Sequence, residues 1–419
     1  MSLKKITSRV LRRLLSLFNF RQRHKNFMQW KKGDFVEFLK CKPSAFLSVT
    51  EIFKSTGYCV SAPFVAPSDF FDFFPKGPYQ LSSPSVKAIK FKNVQVMGNS
   101  DLVFAPNQCL HHGFYNLKYE QMFEQMHEFV EIDTAENKAF CLKGEYIGKI
   151  PLAVSLLGGA SQNYAHWLTE VLPKIILIDT INEFNSYPLL IDENLHGNLL
   201  ESLSILNIRN RDVLEIPRCG MLKVNKLVVV TPCSYAPFDF KPGIIPNRAL
   251  YGPNSIVYSN VALTNLRKSI LERLGVIPAK KCRIFICRRN FQHKRDIENL
   301  FELECLMEAL GFTFCDPSEL SFIEQVKLFA DADVVVAQGG ASLANMIFAP
   351  SGAHIIILAA WSPHMLHYYF TNLASIFDLR CSLILSNPVR ADKFQPESHL
   401  GLNVCLKTLN EVIKRYECN

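Results

Sequence analysis

The chain of 419 residues is longer than one hydrophobic core usually supports, which predicts two domains. Hydrophobic residues make up 48% of the sequence and charged residues 20%, a balance that excludes a disordered chain. The 13 cysteines are odd in number and include no C-x-x-C pair, so we expect reduced core residues rather than a disulfide framework or a zinc ribbon. The net charge of +8 favours an anionic partner.

Residues 1–40 form a basic amphipathic segment. Every charged side chain before Asp34 is basic, and the apolar residues among them recur at roughly helical spacing. The apolar run is too short to span a bilayer, so the pattern predicts a helix lying on an anionic membrane surface. The alternative is a solvated helix that packs on the body of the protein. The apolar stripe consists of Val10, Leu11, Leu14, Leu15, Leu17 and Phe18.

Residues 41–240 are predicted to form an amino-terminal α/β domain. Up to residue 150 the sequence indicates only short strands between proline turns. Leu152 to Leu157 then predicts a strand, Gly158 and Gly159 a turn, and Asn163 the start of a helix. Strands and helices alternate after this helix, a pattern typical of a mainly parallel sheet with helices on its faces.

His166 and Glu170 are four residues apart on that helix and therefore share one face. The carboxylate can orient the imidazole, which makes His166 a candidate general base. The alternative is a hydrogen-bonded histidine in a contact between domains.

Residues 241–390 are predicted to form a second, doubly wound α/β domain after a proline-rich linker at 232–253. Its main feature is the stretch Val334 to Pro350, which combines a buried strand, a glycine turn and a helix from Ala341. The start of such a helix offers backbone N–H groups to a phosphate. The alternative is an ordinary strand-to-helix joint.

Arg288 and Arg289 end an earlier predicted strand of the same domain, Arg283 to Cys287. Carboxyl ends of parallel strands share one edge of a sheet, so these arginines are predicted to meet an anion held at the glycine turn. The remaining residues, 391–419, contain an amphipathic helix that we expect to pack back on the amino-terminal domain.

An ordered set of residues carries a resemblance to a known family. Asn163-Tyr164, His166-Trp167 and Glu170 come first, then Cys287-Arg288-Arg289, then Glu319 to Phe322 with Glu324-Gln325, and finally Gly340-Ala341 with Leu343, Asn345 and Phe348 to Pro350. In order and spacing, over residues 150 to 385, this set resembles glycosyltransferase family 61, in particular its bacterial-type members.

The resemblance implies two Rossmann-like domains that face a cleft, the glycosyltransferase B-type fold. It also implies a nucleotide-sugar donor held by the carboxyl-terminal domain, and transfer with inversion that needs no cofactor and no obligatory metal. His166 and Glu170 would be the catalytic residues. The substrate-binding residues would be Asn163, Tyr164, Trp167, Arg288, Arg289, Glu324, Gln338, Gly339, Gly340, Ala341, Ser342 and Asn345.

Two positions depart from the family pattern. Members often carry His-Gly-Ala at the glycine turn, whereas here Gln338 and Gly339 precede Gly340-Ala341. Many members also have an acidic residue near the end of the following strand, where this chain has Ile357.

The expected function is sugar transfer onto a glycan or lipid-linked glycan, in capsule or lipopolysaccharide synthesis, by a cytoplasmic enzyme at the inner membrane face. The alternative is a non-catalytic member that binds glycans or nucleotides. An NAD enzyme is disfavoured because the sequence has no G-x-G-x-x-G. Nucleic-acid binding is disfavoured because the basic residues cluster at one end and in one loop.

Overall fold

The computed structural model describes residues 27–34, 44–111, 130–133, 138–142, 144–236, 252–287, 297–362, 367–389 and 401–417. These residues form a mixed α/β protein built on two main sheets. The predicted amphipathic helix and the arginine pair at 288–289 lie outside the described residues, as does most of the predicted linker.

The described strands are as follows. They are β1 (Phe27–Asp34), β2 (Phe46–Phe53), β3 (Gly57–Val60), β4 (Phe64–Ala66), β5 (Tyr79–Ser82), β6 (Val86–Met97), β7 (Val103–Ala105), β8 (Gln108–His111), β9 (Val130–Asp133), β10 (Lys138–Leu142), β11 (Glu145–Ser155), β12 (Leu189–Asp192), β13 (Val213–Ile216), β14 (Gly220–Val230), β15 (Ser234–Tyr235), β16 (Val257–Tyr258), β17 (Cys282–Ile286), β18 (Thr313–Cys315), β19 (Ala332–Gln338), β20 (His354–Ala360), β21 (Arg380–Ser386), β22 (Pro388–Val389) and β23 (Gly401–Leu402).

The described helices lie mostly between residues 164 and 417. The α-helices are α1 (Tyr164–His166), α2 (Pro173–Ile178), α3 (Gly197–Leu206), α4 (Asn260–Leu274), α5 (Leu300–Ala309), α6 (Phe322–Ala330), α7 (Tyr368–Ile376) and α8 (Leu406–Glu417), with a π turn at Trp167–Val171 and 3-10 helices at Ser68–Phe73, Asn182–Phe184, Pro253–Ser255, Pro317–Glu319 and Ala341–Phe348. No helix among the described residues is long and apolar enough to cross a membrane.

The first sheet has eleven strands within the described residues. Their order is β13-β12-β11-β14-β6-β7-β8-β1-β10-β9, and β2 also pairs with β6. The four strands from β13 to β14 run parallel, whereas β6 and β7 pair antiparallel with their neighbours. The chain moves outward from β11 to β13 and returns to β14, so the strand order reverses between β11 and β14.

The second sheet is parallel throughout, in the order β18-β17-β19-β20-β21-β4. The chain leaves β17 for β18 and then crosses back to β19, so the strand order reverses between β17 and β19. Open parallel sheets bind ligands at the carboxyl ends of the strands where such a reversal occurs. Ile286 pairs with Ala337, which brings the residues after β17 next to the glycine turn after β19.

The side chains of β19 alternate between two cores because successive residues of a strand point to opposite faces. Val335 and Ala337 belong to a large apolar cluster that lies between the two sheets. Val334 and Val336 belong to a second cluster on the outer face, where α5 and α8 pack. Both faces of the strand are covered, which explains its run of valines.

The large cluster joins both halves of the molecule. It contains Val154 and Leu189 from the first sheet, Leu168 from the π turn, and Phe348 and Tyr369 from the second half. The helices between the sheets therefore pack into one continuous core.

Three segments lie elsewhere than the sequence predicts. The strand β1, inside the predicted amphipathic segment, pairs with β8 and β10 of the first sheet. The strand β4, in the predicted amino-terminal domain, pairs with β21 of the second sheet. Helix α8 packs on the second sheet and α5 instead of the amino-terminal domain, because its apolar face fits the outer cluster through Leu409, Val412 and Ile413.

We predict that Leu409→Ala lowers the free energy of unfolding by about 2–5 kcal/mol. The Leu409 side chain, on the inner face of α8, is fully buried, so its truncation leaves a cavity. Glu411→Ala, on the exposed face of the same helix, should change it by less than about 0.5 kcal/mol. Urea denaturation of both variants measures the difference. Equal midpoints would contradict the packing of α8.

Candidate functional site

The residues after β11 place a histidine and a glutamate side by side. His166 Nδ1 and Glu170 Oε1 are 2.6 Å apart, the contact that their four-residue spacing predicts. Helix α1 begins after Asn163, whose side chain accepts a hydrogen bond from the Ala165 N–H at 3.0 Å. Asn163, predicted as a substrate contact, therefore caps the helix that carries the pair.

The helix widens into a π turn directly after α1. Leu172 N–H donates to Trp167 O at 2.8 Å, five residues back. Two features favour this geometry: Pro173 has no N–H to donate, and the Thr169 hydroxyl donates to Ala165 O at 2.9 Å. Such π turns occur frequently at functional sites.

The His166 side chain is almost enclosed, with 4% of the residue exposed. Its ring lies edge-on to Tyr369 of α7, with the ring centroids 5.9 Å apart. The Tyr369 hydroxyl lies 3.1 Å from Thr169 Oγ1. Burial and the nearby negative charge of Glu170 raise the pKa of Tyr369, so its hydroxyl stays protonated. Residues of both halves thus surround the histidine.

A buried hydrogen-bond chain joins α1 to the segment after the glycine turn. The Tyr164 hydroxyl donates to Asn345 Oδ1 at 2.6 Å. The Asn345 amide donates to Gln325 Oε1 at 2.7 Å and to Ser342 O at 3.1 Å. Burial raises the pKa of Tyr164, which keeps the hydroxyl a donor. Tyr164 and Asn345, both predicted to bind substrate, bind each other across the two halves.

Two more predicted contacts have structural partners. Trp167 is 1% exposed, and its indole N–H donates to Ser202 Oγ at 2.9 Å. Glu324 lies at the amino end of α6, where it forms a capping box with Ser321. These hydrogen bonds lower the pKa of Glu324. The structure places Trp167 in the core and Glu324 at the protein surface.

The glycine turn after β19 is extended in backbone conformation. Gly340 has φ 179° and ψ 169°, values that any residue can adopt. A β-carbon added at Gly339 would lie 3.8 Å from Ile357 Cγ2, an ordinary contact distance. Neither backbone strain nor crowding by the described residues accounts for Gly339.

The segment after this turn is a 3-10 helix where the sequence predicts an α-helix. Leu343 N–H donates to Gly340 O and Ala349 N–H to Met346 O, both at 3.0 Å. The Asn345 side-chain amide donates to the Ser342 carbonyl, and this hydrogen bond competes with the backbone bond that an α-helix would make there. Fewer aligned peptides make the dipole weaker, so any anion here would depend mainly on individual N–H groups at the first residues.

Of the residues predicted to bind the donor, Gln338, Gly339, Gly340, Ala341 and Ser342 are adjacent at the carboxyl end of β19. Ser342 Oγ is buried and has no hydrogen-bond partner among the described residues. The end of β17 lies beside this turn, and the chain continues from there into 288–289.

The sequence interpretation missed Asp192, which holds the first glycine turn in place. This carboxylate is fully buried at the end of β12 and accepts hydrogen bonds from the backbone N–H groups of Asn99 and Gly158 and from the Ser161 hydroxyl. Burial raises the pKa of Asp192 to about 7, although these hydrogen bonds oppose the shift. The sequence did offer a signal for this residue, because an acidic residue directly follows the predicted strand Tyr187 to Ile191.

A cavity among the described residues lies away from both glycine turns. It has a volume of about 560 Å³ and opens at the amino ends of β20 and β21. His354, Arg380 and Arg415 line it. It sits at the opposite edge of the second sheet from Gly339, so it is not the candidate site.

Comparison with known proteins points to the same stretch of chain. The family model Glycosyltransferase 61 matches residues 164–356, from the first residue of α1 into β20. A plant protein, alpha-1,3-arabinosyltransferase XAT3 of Oryza sativa subsp. japonica, is 24% identical over 225 residues, which cover 51% of this chain. The chain matches 37% of the length of that relative. Both findings support a glycosyltransferase. The family match includes His166, Glu170 and the second glycine turn.

We predict that Tyr164→Phe lowers the free energy of unfolding by about 1–3 kcal/mol, because Asn345 Oδ1 would remain buried without its donor. Tyr146→Phe is the matched control, since Tyr146 is 59% exposed, and it should leave stability unchanged. Thermal and urea unfolding of both variants provide the test. If the two substitutions cost the same, the bond between the halves contributes nothing measurable.

Proposed function

We propose that this protein is an inverting glycosyltransferase that moves a hexosyl or pentosyl group from a nucleotide sugar to a glycan acceptor. The observation that carries the proposal is the contact of 2.6 Å between His166 and Glu170, inside the span that the family model matches. The rice relative is named as an arabinosyltransferase, which supports a sugar donor of this class. A thermal-shift screen of nucleotide sugars, followed by analysis of the product, tests the reaction type.

The proposed architecture is the glycosyltransferase B-type fold. Its support is the parallel strand order of the second sheet and the parallel group β13-β12-β11-β14 of the first. In both sheets the strand order reverses next to a glycine turn. We expect the two halves to carry the acceptor and the donor respectively.

The donor diphosphate is proposed to bind at the reversal between β17 and β19. Gln338 ends β19 and Gly339 follows it; because Gly339 has no side chain, a ligand can approach its backbone on the side away from Ile357. Ser342 Oγ, which lacks a partner among the described residues, can donate to a phosphate oxygen. Arg288 and Arg289 follow β17 and would neutralise the charge that develops on the leaving group. With these cations in place we expect transfer without an obligatory metal.

In the proposed reaction His166 is the general base. Nδ1 faces Glu170, so the proton of the acceptor hydroxyl goes to Nε2. The acceptor oxygen bonds to the anomeric carbon as the bond from that carbon to the diphosphate oxygen breaks. Attack opposite the leaving group inverts the anomeric configuration. Because 4% of His166 is exposed, substrate access requires the two halves to move apart at this point.

The second candidate is a non-catalytic member of the same fold that binds glycans or nucleotides. The near-complete burial of His166 and its contact with Tyr369 favour this candidate, because both also suit a histidine that braces the two halves. Removal of the His166 imidazole distinguishes the two candidates, because only a catalytic histidine is needed for turnover.

A place in bacterial capsule or lipopolysaccharide synthesis, at the cytoplasmic face of a membrane, is a further part of the proposal. It draws on the basic amphipathic pattern in residues 1–40 and on the chain's net charge of +8. A lipid-linked glycan is the acceptor that suits such a location.

We predict that His166→Ala lowers turnover by roughly a hundredfold to ten-thousandfold while donor affinity is kept, the usual contribution of a positioned general base. Glu170→Gln should cost less, since it preserves a hydrogen bond to Nδ1. Release of the nucleoside diphosphate measures turnover.

The matched control is His354→Ala, because His354 is equally buried, at 4%, and lies at the opposite edge of the second sheet. It should reduce thermal stability without a comparable effect on turnover per folded molecule. Full turnover of a stable His166→Ala protein would remove this residue from the mechanism and favour the binding module.

We further predict that Arg288→Ala or Arg289→Ala weakens binding of a nucleoside diphosphate much more than binding of the nucleoside. A charge-assisted contact to a desolvated phosphate contributes on the order of 1.5–3 kcal/mol. Calorimetry with both ligands measures the effect, and Arg209→Ala, on the exposed surface, is the control. Unchanged diphosphate binding in both variants would place the donor elsewhere.

A further inference from the structure

The cavity at the amino ends of β20 and β21 has no part in the proposed reaction, yet four separate stretches of chain combine to form it. Its lining residues come from 61–64, 352–354, 375–382 and 412–415. These stretches contain the start of the edge strand β4, the start of β20, the connection from α7 to β21 and the carboxyl-terminal part of α8. We call it the amino-edge cavity.

Two arginines give the amino-edge cavity an excess of positive charge. Arg380 is the first residue of β21, and Arg415 lies in the last turn of α8. The guanidinium carbon of Arg415 lies 5.4 Å from the centre of the Phe64 ring, a cation–π contact that holds the cation at the cavity wall. Among the described residues of the lining the acidic one is Asp378, whose carboxylate accepts a hydrogen bond from the Ser351 hydroxyl at 2.7 Å. Two cations therefore line the cavity against one carboxylate.

The other polar groups of the described lining are neutral. His354 is the partner of Arg380 in the register of β20 and β21. Burial and the charge of Arg380 lower the pKa of His354 to about 4, so the imidazole is uncharged at neutral pH. Its Nε2 lies 2.7 Å from Ser382 Oγ. The Ser375 hydroxyl accepts the backbone N–H of Ser61 at 3.1 Å. The positive charge of the lining therefore comes from the arginines.

The size and the lining of the amino-edge cavity define a class of ligand. Its volume of about 560 Å³ is typical of a small-molecule site and exceeds what a bare ion fills. Guanidinium groups bind phosphate through charge-assisted hydrogen bonds, and two of them suit the double charge of a phosphate ester. Serine hydroxyls exchange hydrogen bonds with the hydroxyl groups of a sugar. A sugar phosphate combines both features in one molecule.

The amino-edge cavity is separate from the site of the proposed transfer. His354 begins β20 at the cavity, whereas the Gly339 N–H donates to Leu358 O at 3.1 Å near the other end of this strand. Both arginines lie outside residues 164–356, the span that the family model matches. The cavity is therefore built largely by parts of the chain that the family match does not include.

We propose that the amino-edge cavity is a second ligand site, which binds a sugar phosphate with the phosphate group at Arg380 and Arg415. This inference goes beyond the proposed function and does not depend on it, because neither arginine takes part in the proposed transfer. A neutral sugar lacks the group that the arginines bind, and inorganic phosphate lacks the body that fills the cavity. Each of these partial ligands should therefore bind more weakly than the sugar phosphate.

The experiment measures binding to the full-length protein by calorimetry. The probes are glucose 6-phosphate and ribose 5-phosphate, with glucose and inorganic phosphate as the partial ligands. The variants are Arg380→Gln, Arg415→Gln and their combination. Both arginines are exposed, so we expect all three variants to fold, and their melting temperatures check this.

Two controls accompany these variants. Lys414→Gln removes one positive charge from the exposed face of α8 next to Arg415, at a residue outside the cavity lining. Arg288→Ala removes a cation that we propose for the donor side, so it tests whether a sugar phosphate binds at the glycine turn instead.

We expect at least one sugar phosphate to bind roughly tenfold more tightly than glucose or inorganic phosphate. Arg380→Gln and Arg415→Gln should each weaken its binding by about threefold to tenfold, a modest factor because water screens part of the charge of an exposed arginine. The double variant should lose more than either single variant. Lys414→Gln and Arg288→Ala should bind the sugar phosphate as the parent does.

Binding of both sugar phosphates no tighter than glucose by the parent would overturn the inference, as would unchanged binding by the double variant. Inorganic phosphate that binds as tightly as the sugar phosphates would overturn the assigned ligand class, because the cavity would then hold only an anion. A loss of binding in Arg288→Ala would place the sugar phosphate at the donor turn. An equal loss in Lys414→Gln and Arg415→Gln would mean a general effect of surface charge, and it would also overturn the inference.

Discussion

The hydrogen bond from Tyr164 to Asn345 is the contact on which the arrangement of the site depends. It joins the helix after Gly158-Gly159 to the helix after Gly339-Gly340. Tyr164 packs against the large apolar cluster, and Asn345 lies between Ala344 and Met346 of that cluster. Asn345 then donates to Gln325, whose own amide donates to Pro317 O at 2.9 Å. A buried chain in which each polar group has a partner is rigid, because every break leaves a donor or acceptor unsatisfied.

A second set of contacts holds the same halves together through helix ends. Glu201 of α3 accepts the backbone N–H of Phe322 at 2.6 Å, and the Asn198 amide donates to Leu320 O at 2.9 Å. A carboxylate at a helix amino terminus is stabilised both by the free N–H and by the dipole. The first half therefore caps α6 of the second half. Any motion that admits substrate to His166 must preserve or reform these contacts.

The electrostatics of the site separate into two positions. On the second half, the turn after β19 offers an orphaned Ser342 hydroxyl beside the end of β17. On the first half, the Glu170 carboxylate lies 2.6 Å from His166 Nδ1. The polar groups of the site are therefore a neutral hydroxyl on one half and a histidine-carboxylate pair on the other.

The sequence by itself determined the local elements and the pair of glycine turns. A run of consecutive valines predicts β19, because a strand covered on both faces must be apolar throughout. The four-residue spacing places His166 against Glu170, because an α-helical face repeats at that interval. Asn163 as a helix cap and the parallel second sheet follow from equally local signals. Such features depend on neighbours along the chain.

Only the tertiary structure decided which residues meet across the chain. Tyr164 and Asn345 are 181 residues apart, so no local pattern indicates that they bind each other instead of a ligand. The 3-10 geometry after Gly340, the place of β4 in the second sheet and the packing of α8 on its outer face depend on what covers each surface. The burial of Lys174, which is 8% exposed, is of the same kind. A lysine in a sequence carries no sign of its burial, which is determined by groups brought together only when the chain folds.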